Sequence, residues 1–205
     1  MNVYIESNFV LEHALEQEQC ESCEQLIRLA SAGSIRLVIP AFSLAEPHMA
    51  LLRKKQERNK LIGELQRHLS ELGRSRPYRE APGEISELAG VLIRSAERER
   101  GGLERTVEQL LETADVIPLT ADIFHQASSI QDVRDMSAQD SIVLASIVVH
   151  LAETKPAESC HLNRNTKDFD DPEVRYILDE FGCKFFGGFD EGLRYLDIKL
   201  RTKGP

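Results

Sequence analysis

Short apolar stretches rich in β-branched residues alternate with longer amphipathic stretches along this chain, and this alternation is typical of strands joined by helices. The short stretches predict five strands, at Asn2–Ile5, Ile35–Ile39, Val116–Leu119, Ser159–Leu162 and Lys184–Phe186. The longer stretches predict helices, at about Phe9–Ala32, Ala41–Leu72, Ile85–Thr113, Ala121–Val133 and Ala138–Glu153. Because such crossovers are right-handed and cover both faces of a parallel sheet, we expect a three-layer α/β/α fold with a central parallel sheet of about five strands.

A charged helical segment interrupts this alternation. The chain of 205 residues is long enough for one domain with a sizeable core, so we assign residues 1–205 to a single domain. Residues 53–112 are helical in periodicity but dense in charge, with the Pro- and Gly-containing break GRSRPYREAPGE between two long helices. We interpret this part as an extra helical hairpin on a smaller core.

The charge of the chain is unevenly distributed. A net charge of −9 by itself disfavours nucleic acid, because the phosphate backbone attracts Lys and Arg. Between Arg53 and Arg79, however, nine Lys or Arg stand against three Glu, so this segment carries +6 and the rest of the chain −15. A basic surface on one part of an acidic protein is therefore expected.

Composition also limits where the protein works. No apolar run approaches the roughly 20 residues needed to cross a bilayer, and the start of the chain lacks the pattern of a secretory signal. We therefore expect a cytoplasmic protein without membrane contact, in which Cys20, Cys23, Cys160 and Cys183 are free thiols.

Four acidic residues lie near the predicted carboxyl ends of strands, where open parallel sheets bind ligands. They are Glu6, Glu46, Asp140 and Asp168. Carboxylates brought close together repel unless some are protonated or a cation joins them, and a hard cation such as Mg²⁺ or Mn²⁺ suits an all-oxygen site. The amides of Asn8, Asn163 and Asn165 could supply neutral oxygens or hold the carboxylates by hydrogen bonds.

Structural roles compete with this interpretation. SLAE at 43–46 and SAQD at 137–140 both match a capping box or its Asp variant, so Glu46 and Asp140 could stabilise helix starts instead. Asp168 could close a turn through its own side chain. Glu6 fits a structural role less well, because an unpaired carboxylate is costly at the enclosed end of an apolar strand.

Four motifs in order give the chain a resemblance to a known family. YIESN holds Glu6 where the family usually has Asp, IPAFSLAEP holds Glu46, SAQDSIVLASIV holds Asp140, and NRNTKDFDDP holds Asn163, Asn165 and Asp168. With these motifs the chain resembles the PIN-domain family, which includes the VapC toxins of toxin–antitoxin pairs. The resemblance covers residues 1–52 and 116–186 and leaves the central helical segment unmatched.

The resemblance implies a Rossmann-like sheet and an endoribonuclease that depends on Mg²⁺ or Mn²⁺. It implies that Glu6, Glu46, Asp140 and Asp168 are catalytic and hold the metal, and that metal-activated water attacks RNA. It also suggests a homodimer and an antitoxin partner. Two alternatives stay open: a catalytically inactive PIN-like module that binds RNA or protein, and a small-molecule phosphohydrolase that uses the same acids.

The basic segment has a use if the substrate is RNA. Arg53, Lys54, Lys55 and Arg58 continue the predicted helix that carries Glu46, so they could lead a phosphate backbone toward the acids. A solvated helix face on which Glu residues offset the Lys and Arg is the competing interpretation.

Overall fold

A parallel sheet of five strands forms the centre of the protein. The computed structural model describes residues 1–78, 81–133, 136–165, 169 and 171–202, with side chains described outside 81–88 and 132–133. The strands are β1 (Asn2–Tyr4), β2 (Arg36–Pro40), β3 (Ala114–Ile117), β4 (Ser159–Leu162) and β5 (Cys183–Phe186), in the order β3-β2-β1-β4-β5. Every pairing is parallel, with Tyr4 aligned between Val38 and His161.

Helices cover both faces of the sheet. They are α1 (Ser7–Ala14), α2 (Cys20–Ser31), α3 (Ala41–Leu72), α4 (Ala81–Thr113), α5 (Ala121–Val133), α6 (Ala138–Thr154), α7 (Pro172–Glu180) and α8 (Phe189–Thr202), with a short 3₁₀ turn at Arg76–Tyr78. One core packs α1, α2, α4 and α8 on one face, and a second core packs α5, α6 and α7 on the other. The predicted three-layer α/β fold is confirmed.

Alternation along the strands explains the two cores. Val3 and Ile5 lie in the first core, whereas Tyr4 between them lies in the second, because successive strand residues point to opposite faces. A sheet covered on both sides needs apolar residues at every position, and this is why the strand segments read as continuous apolar runs.

The predicted helix at Phe9–Ala32 is wrong in one respect, since two helices occupy that range. Between α1 and α2 the backbone of Glu16 has a φ of 52°, a left-handed conformation that a helix interior does not allow. The buried carboxylate of Glu12 accepts a hydrogen bond of 2.6 Å from the backbone N–H of Gln19, which secures the turn. The prediction also omitted α8, whose side chains Phe189, Leu193 and Leu196 complete the first core.

Helices α3 and α4 pack on each other and include the predicted hairpin. Helix α3 has 32 residues and is therefore about 48 Å long, but its buried residues end at Leu51. Helix α4 returns to the first core through Leu103 and Leu110. It approaches α1 so closely at Gly102 that a Cβ there would lie 2.2 Å from the carbonyl oxygen of Ala14. The assignment of the chain to one domain stays a prediction.

Two further expectations from composition concern free thiols and membrane-spanning helices. Cys20, Cys23, Cys160 and Cys183 are free thiols, as expected. Among the described residues, no helix is both long enough and apolar enough to cross a membrane.

Candidate active site

The candidate site lies at the carboxyl ends of β1 and β4, where the strand order reverses. In open α/β sheets this crevice is the usual place for a ligand. Glu6 precedes the first residue of α1, and Asn163 directly follows β4. The side-chain amide of Asn8 donates a hydrogen bond of 2.5 Å to Oδ1 of Asn163, and the backbone N–H of Asn165 donates one of 2.7 Å to the same oxygen. The two loops are therefore joined across the crevice.

Glu6 is a buried carboxyl group with a strongly shifted pKa. Its residue is only 5% exposed, and burial, together with the negative charges of Glu46 and Asp140, raises the pKa of Glu6 to about 8. Hydrogen bonds from the backbone N–H groups of Asn8 and Ser7 act in the opposite direction but do not outweigh these causes. Three acids from distant parts of the chain are thus brought close enough to influence one another.

Glu46 takes part in the site rather than in a helix cap. Helix α3 begins at Ala41, so Glu46 lies beyond the first turn and the match to a capping box has no structural counterpart. The hydroxyl of Ser7 donates a short hydrogen bond to the carboxylate of half-buried Glu46. This contact links the start of α1 to α3 and orients the second acid beside the first.

Asp140 supports the start of α6 and also acts electrostatically on Glu6. Ser137 is the N-cap of α6, and its hydroxyl accepts a hydrogen bond of 3.1 Å from the backbone N–H of Asp140. The same hydroxyl donates a bond of 2.5 Å to the Asp140 carboxylate. Asp140 therefore supports the helix start, and its charge still reaches Glu6.

Comparison with known proteins decides the family. The family model of the PIN domain matches residues 3–169, which is most of the chain. This chain belongs to the PIN-domain family. PIN domains are generally nucleases and usually use divalent metal ions. The matched range includes Glu6, Glu46 and Asp140 and, unlike the motif resemblance, also spans α3 and α4. A search of curated proteins found no match.

The fourth predicted acid of this PIN domain, Asp168, lies outside the described residues. Its neighbour Phe169 is fully buried and packs edge-on against His161 in β4, with 5.4 Å between the ring centroids. The backbone N–H of Phe169 also donates a hydrogen bond of 3.1 Å to the carbonyl of Asn165. These contacts fix the position of Phe169 itself.

The chemistry of the donors fits a hard cation, although the acids are not gathered as a ligand set. In the described part of the chain, no three His, Cys, Asp or Glu side chains are arranged to hold a metal ion. The available groups are nevertheless oxygen donors, as Mg²⁺ and Mn²⁺ prefer. The buried Oδ1 of Asn8, two residues after Glu6, also has no hydrogen-bond partner among the described residues, so one neutral oxygen is available near the start of α1.

An ion pair between buried Glu12 and half-buried Arg164 lies next to the site and was missed by the sequence analysis. Arg164, the residue after Asn163, donates a hydrogen bond of 2.6 Å to Glu12 and one of 3.2 Å to Glu18. Glu12 is only 2% exposed, so its charge needs this partner. Gln19, whose backbone N–H binds Glu12, accepts hydrogen bonds through its side chain from the first backbone N–H groups of α8. The sequence feature that could have indicated this ion pair is Glu12, an acidic residue on the apolar side of α1.

The predicted RNA-binding residues differ in their surroundings. Arg53, Lys54 and Lys55 are exposed on α3. Arg58 is half-buried and forms a bidentate ion pair with Glu99 of α4, with N–O distances of 2.8 and 2.9 Å. The structure therefore gives Arg58 a role in holding the two helices together, and leaves the other three available to solvent.

Proposed function

We propose that this PIN domain is an endoribonuclease that depends on Mg²⁺ or Mn²⁺ and hydrolyses RNA phosphodiesters with activated water. The observation that carries the proposal is the burial of the Glu6 carboxyl group at the edge where the sheet binds ligands, with Glu46 and Asp140 near enough to raise its pKa. Perturbed carboxylates in such a crevice are typical of functional sites. The family, which is generally nucleolytic, supports the same conclusion.

Different residues of the chain would bind the cation and orient its carboxylate ligands. Glu6, Glu46 and Asp140 would hold the cation, with Asp168 completing or supporting the set and Asn8 Oδ1 offering a neutral oxygen. A bound divalent cation would activate water and offset the negative charge that builds on the phosphodiester. The hydroxyls of Ser7 and Ser137 would orient two of the carboxylates.

Cation binding would be coupled to the release of a proton. With a pKa of about 8, Glu6 is mostly neutral at pH 7, and a carboxylate must be ionised to serve as a ligand. Metal affinity is therefore expected to increase as the pH rises toward 8. The amide pair of Asn8 and Asn163 would keep the loops after β1 and β4 in place while Glu6 changes its charge.

A catalytically inactive PIN-like module that binds RNA or protein is the second candidate. It is favoured by the neutral state of Glu6 and by the absence, among the described residues, of three acids arranged as metal ligands. A homodimer, an antitoxin partner and a cytoplasmic location also stay predictions.

Cleavage of a mixed RNA pool with Mn²⁺ tests the proposal. Wild type, Asp140→Asn and Glu6→Asp would be compared with and without chelator, with Glu108→Gln on the exposed side of α4 as a matched charge-removal control. Circular dichroism would confirm that each variant is folded. The proposal expects cleavage by wild type and by the control, none with chelator, and none by folded Asp140→Asn.

Other outcomes would identify the alternatives. Wild type that binds Mn²⁺ and RNA without cutting would favour the inactive module, and cleavage by Glu6→Asp alone would trace that inactivity to the longer acid. Turnover of nitrophenyl phosphate without RNA cleavage would replace the proposal by a phosphohydrolase.

A further inference from the structure

A cleft between α3 and α4 begins one turn beyond Glu46. It has a volume of about 420 Å³, which is within the range of sites for small ligands. Met49 and Leu52 of α3 and Ile93 of α4 line it, and these side chains belong to residues that are 59%, 47% and 51% exposed. Apolar surface is thus left open next to the candidate active site. We call this feature the hairpin cleft.

Polar and charged groups surround the apolar lining. Lys55, Asn59 and Arg100 line the cleft together with Glu97 and the Arg58–Glu99 ion pair. Since Arg58 and Glu99 offset each other, the remaining charges of the lining are Lys55, Glu97 and Arg100, and Arg100 also lies 3.7 Å from the carboxylate of Glu104 on α4. Asn59 and Arg100 supply hydrogen-bond donors of the kind that read the edges of bases.

The cleft and the candidate active site share one helix. Met49, at the near end of the cleft, is three residues after Glu46 on the same side of α3 and about 4.5 Å from it along the axis, whereas Lys55, nine residues after Glu46, lies on the opposite side of the helix. A single strand of RNA with one phosphate at the acids would reach the cleft within a few nucleotides. The surrounding charge favours such a strand, because residues 53–79 carry +6 whereas the rest of the chain carries −15.

We propose that the hairpin cleft binds bases of a single-stranded RNA substrate next to the phosphate that is cut, and so selects the cleavage site. The inference rests on the proposed function and extends it. Bases that leave a stack are held between aromatic or apolar side chains and are read by hydrogen bonds at their edges, and the cleft offers both kinds of group. Exposed Arg53 and Lys54 follow the backbone outside it.

Binding of short RNA strands to paired isoleucine variants tests this inference. The probes are a fluorescein-labelled ten-nucleotide single-stranded RNA and an abasic strand of the same length, measured by fluorescence anisotropy with chelator present. Ile93→Ser changes the cleft, and Ile198→Ser on α8, at an even more exposed isoleucine, is the matched control. We expect Ile93→Ser to bind RNA about five- to tenfold more weakly, which is the lower end of the range for the loss of one base contact. Its affinity for the abasic strand should not change. Ile198→Ser should match wild type with both.

A lysine variant tests the charged rim separately. Lys55→Gln should weaken binding to both strands and lower the salt dependence by about one ion. The same variants would be sequenced after cleavage of the RNA pool with Mn²⁺. Ile93→Ser is expected to cut at altered or less selective positions, whereas Ile198→Ser keeps the wild-type pattern.

Several results would overturn the inference. One is equal affinity of wild type and Ile93→Ser for both strands; if wild type still cuts RNA, the proposed function survives while the cleft loses its role. Another is a change in oligomeric state of Ile93→Ser by light scattering with unaltered RNA affinity, which would make the cleft an interface between copies. Absence of both RNA binding and cleavage in wild type would reject the inference and the proposed function together. Base-dependent binding without any cleavage would keep the cleft as a base-binding site but would overturn its role in selecting a cleavage site, and it would reject the nuclease.

Discussion

Replacement of Glu6 by Gln tests whether the folded protein keeps this carboxyl group protonated. The pKa of Glu6 rises from 4.5 to about 8, chiefly because the side chain is buried. Since its folded-state pKa exceeds the unfolded value, the folded protein holds a proton that the unfolded chain releases. The stability from Glu6 is therefore fully present below pH 4.5, decreases as the pH rises, and is lost above about pH 8. At 1.36 kcal/mol for each pKa unit, the loss at pH 7 is on the order of 3 kcal/mol.

The assay is thermal unfolding of wild type and Glu6→Gln between pH 5 and pH 8.5 with chelator present. Gln has no charge to lose and keeps an oxygen for the backbone N–H groups of Ser7 and Asn8. Because wild type has already lost about 1 kcal/mol at pH 5, the variant should gain about 5–10 °C in Tm over wild type between pH 5 and pH 7, since 1 kcal/mol corresponds to about 2–4 °C at this chain length. The difference between wild type and the control Glu108→Gln should not change over this range.

A second arm uses Mn²⁺ at pH 8. Binding to the folded state should raise the Tm of wild type, and the increase should be much smaller for Glu6→Gln because one ligand has no charge. A Tm difference between wild type and Glu6→Gln that stays constant from pH 5 to 8.5 would refute the reasoning, since Glu6 would then titrate alike in the folded and unfolded chains.

Three further variants test other buried features. Burial lowers the pKa of His161 to about 3, so wild type should lose stability as the pH falls below 6.5. In denaturant titrations, His161→Phe should reduce this loss of unfolding free energy by about 2–3 kcal/mol at pH 4.5. Arg164→Gln removes the positive partner of buried Glu12, which keeps only the hydrogen bond from Gln19, and should cost about 1–3 kcal/mol of unfolding free energy; a double variant with Glu12→Gln should recover most of it, and purely additive losses would contradict the pairing. Gly102→Ala should destabilise by more than about 2 kcal/mol because its Cβ meets α1, whereas Gly101→Ala should be neutral or stabilising by up to about 1 kcal/mol; similar Tm values for the two would refute the close approach.

Local patterns determined most of the fold. The predicted bounds of the helices at Ala41–Leu72 and Ala121–Val133 agree with the structure, and each predicted strand overlaps an observed one. These segments can be recognised in the sequence because apolar residues are continuous in a strand buried on both faces but recur about every three to four residues in a helix buried on one face. Glu6, Glu46 and Asp140 could be selected from the sequence because each follows a structural boundary at the edge where a parallel sheet binds ligands.

The tertiary structure alone decided the chemistry of those residues. The protonation of Glu6 depends on its burial and on two carboxylates 40 and 134 residues away in sequence. The short contact of Ser7 with Glu46 and the pairing of Arg164 with Glu12 also join distant segments. Desolvation and Coulomb energy depend on positions in space, so no local pattern along this chain reveals which of its acids are neutral and which are paired.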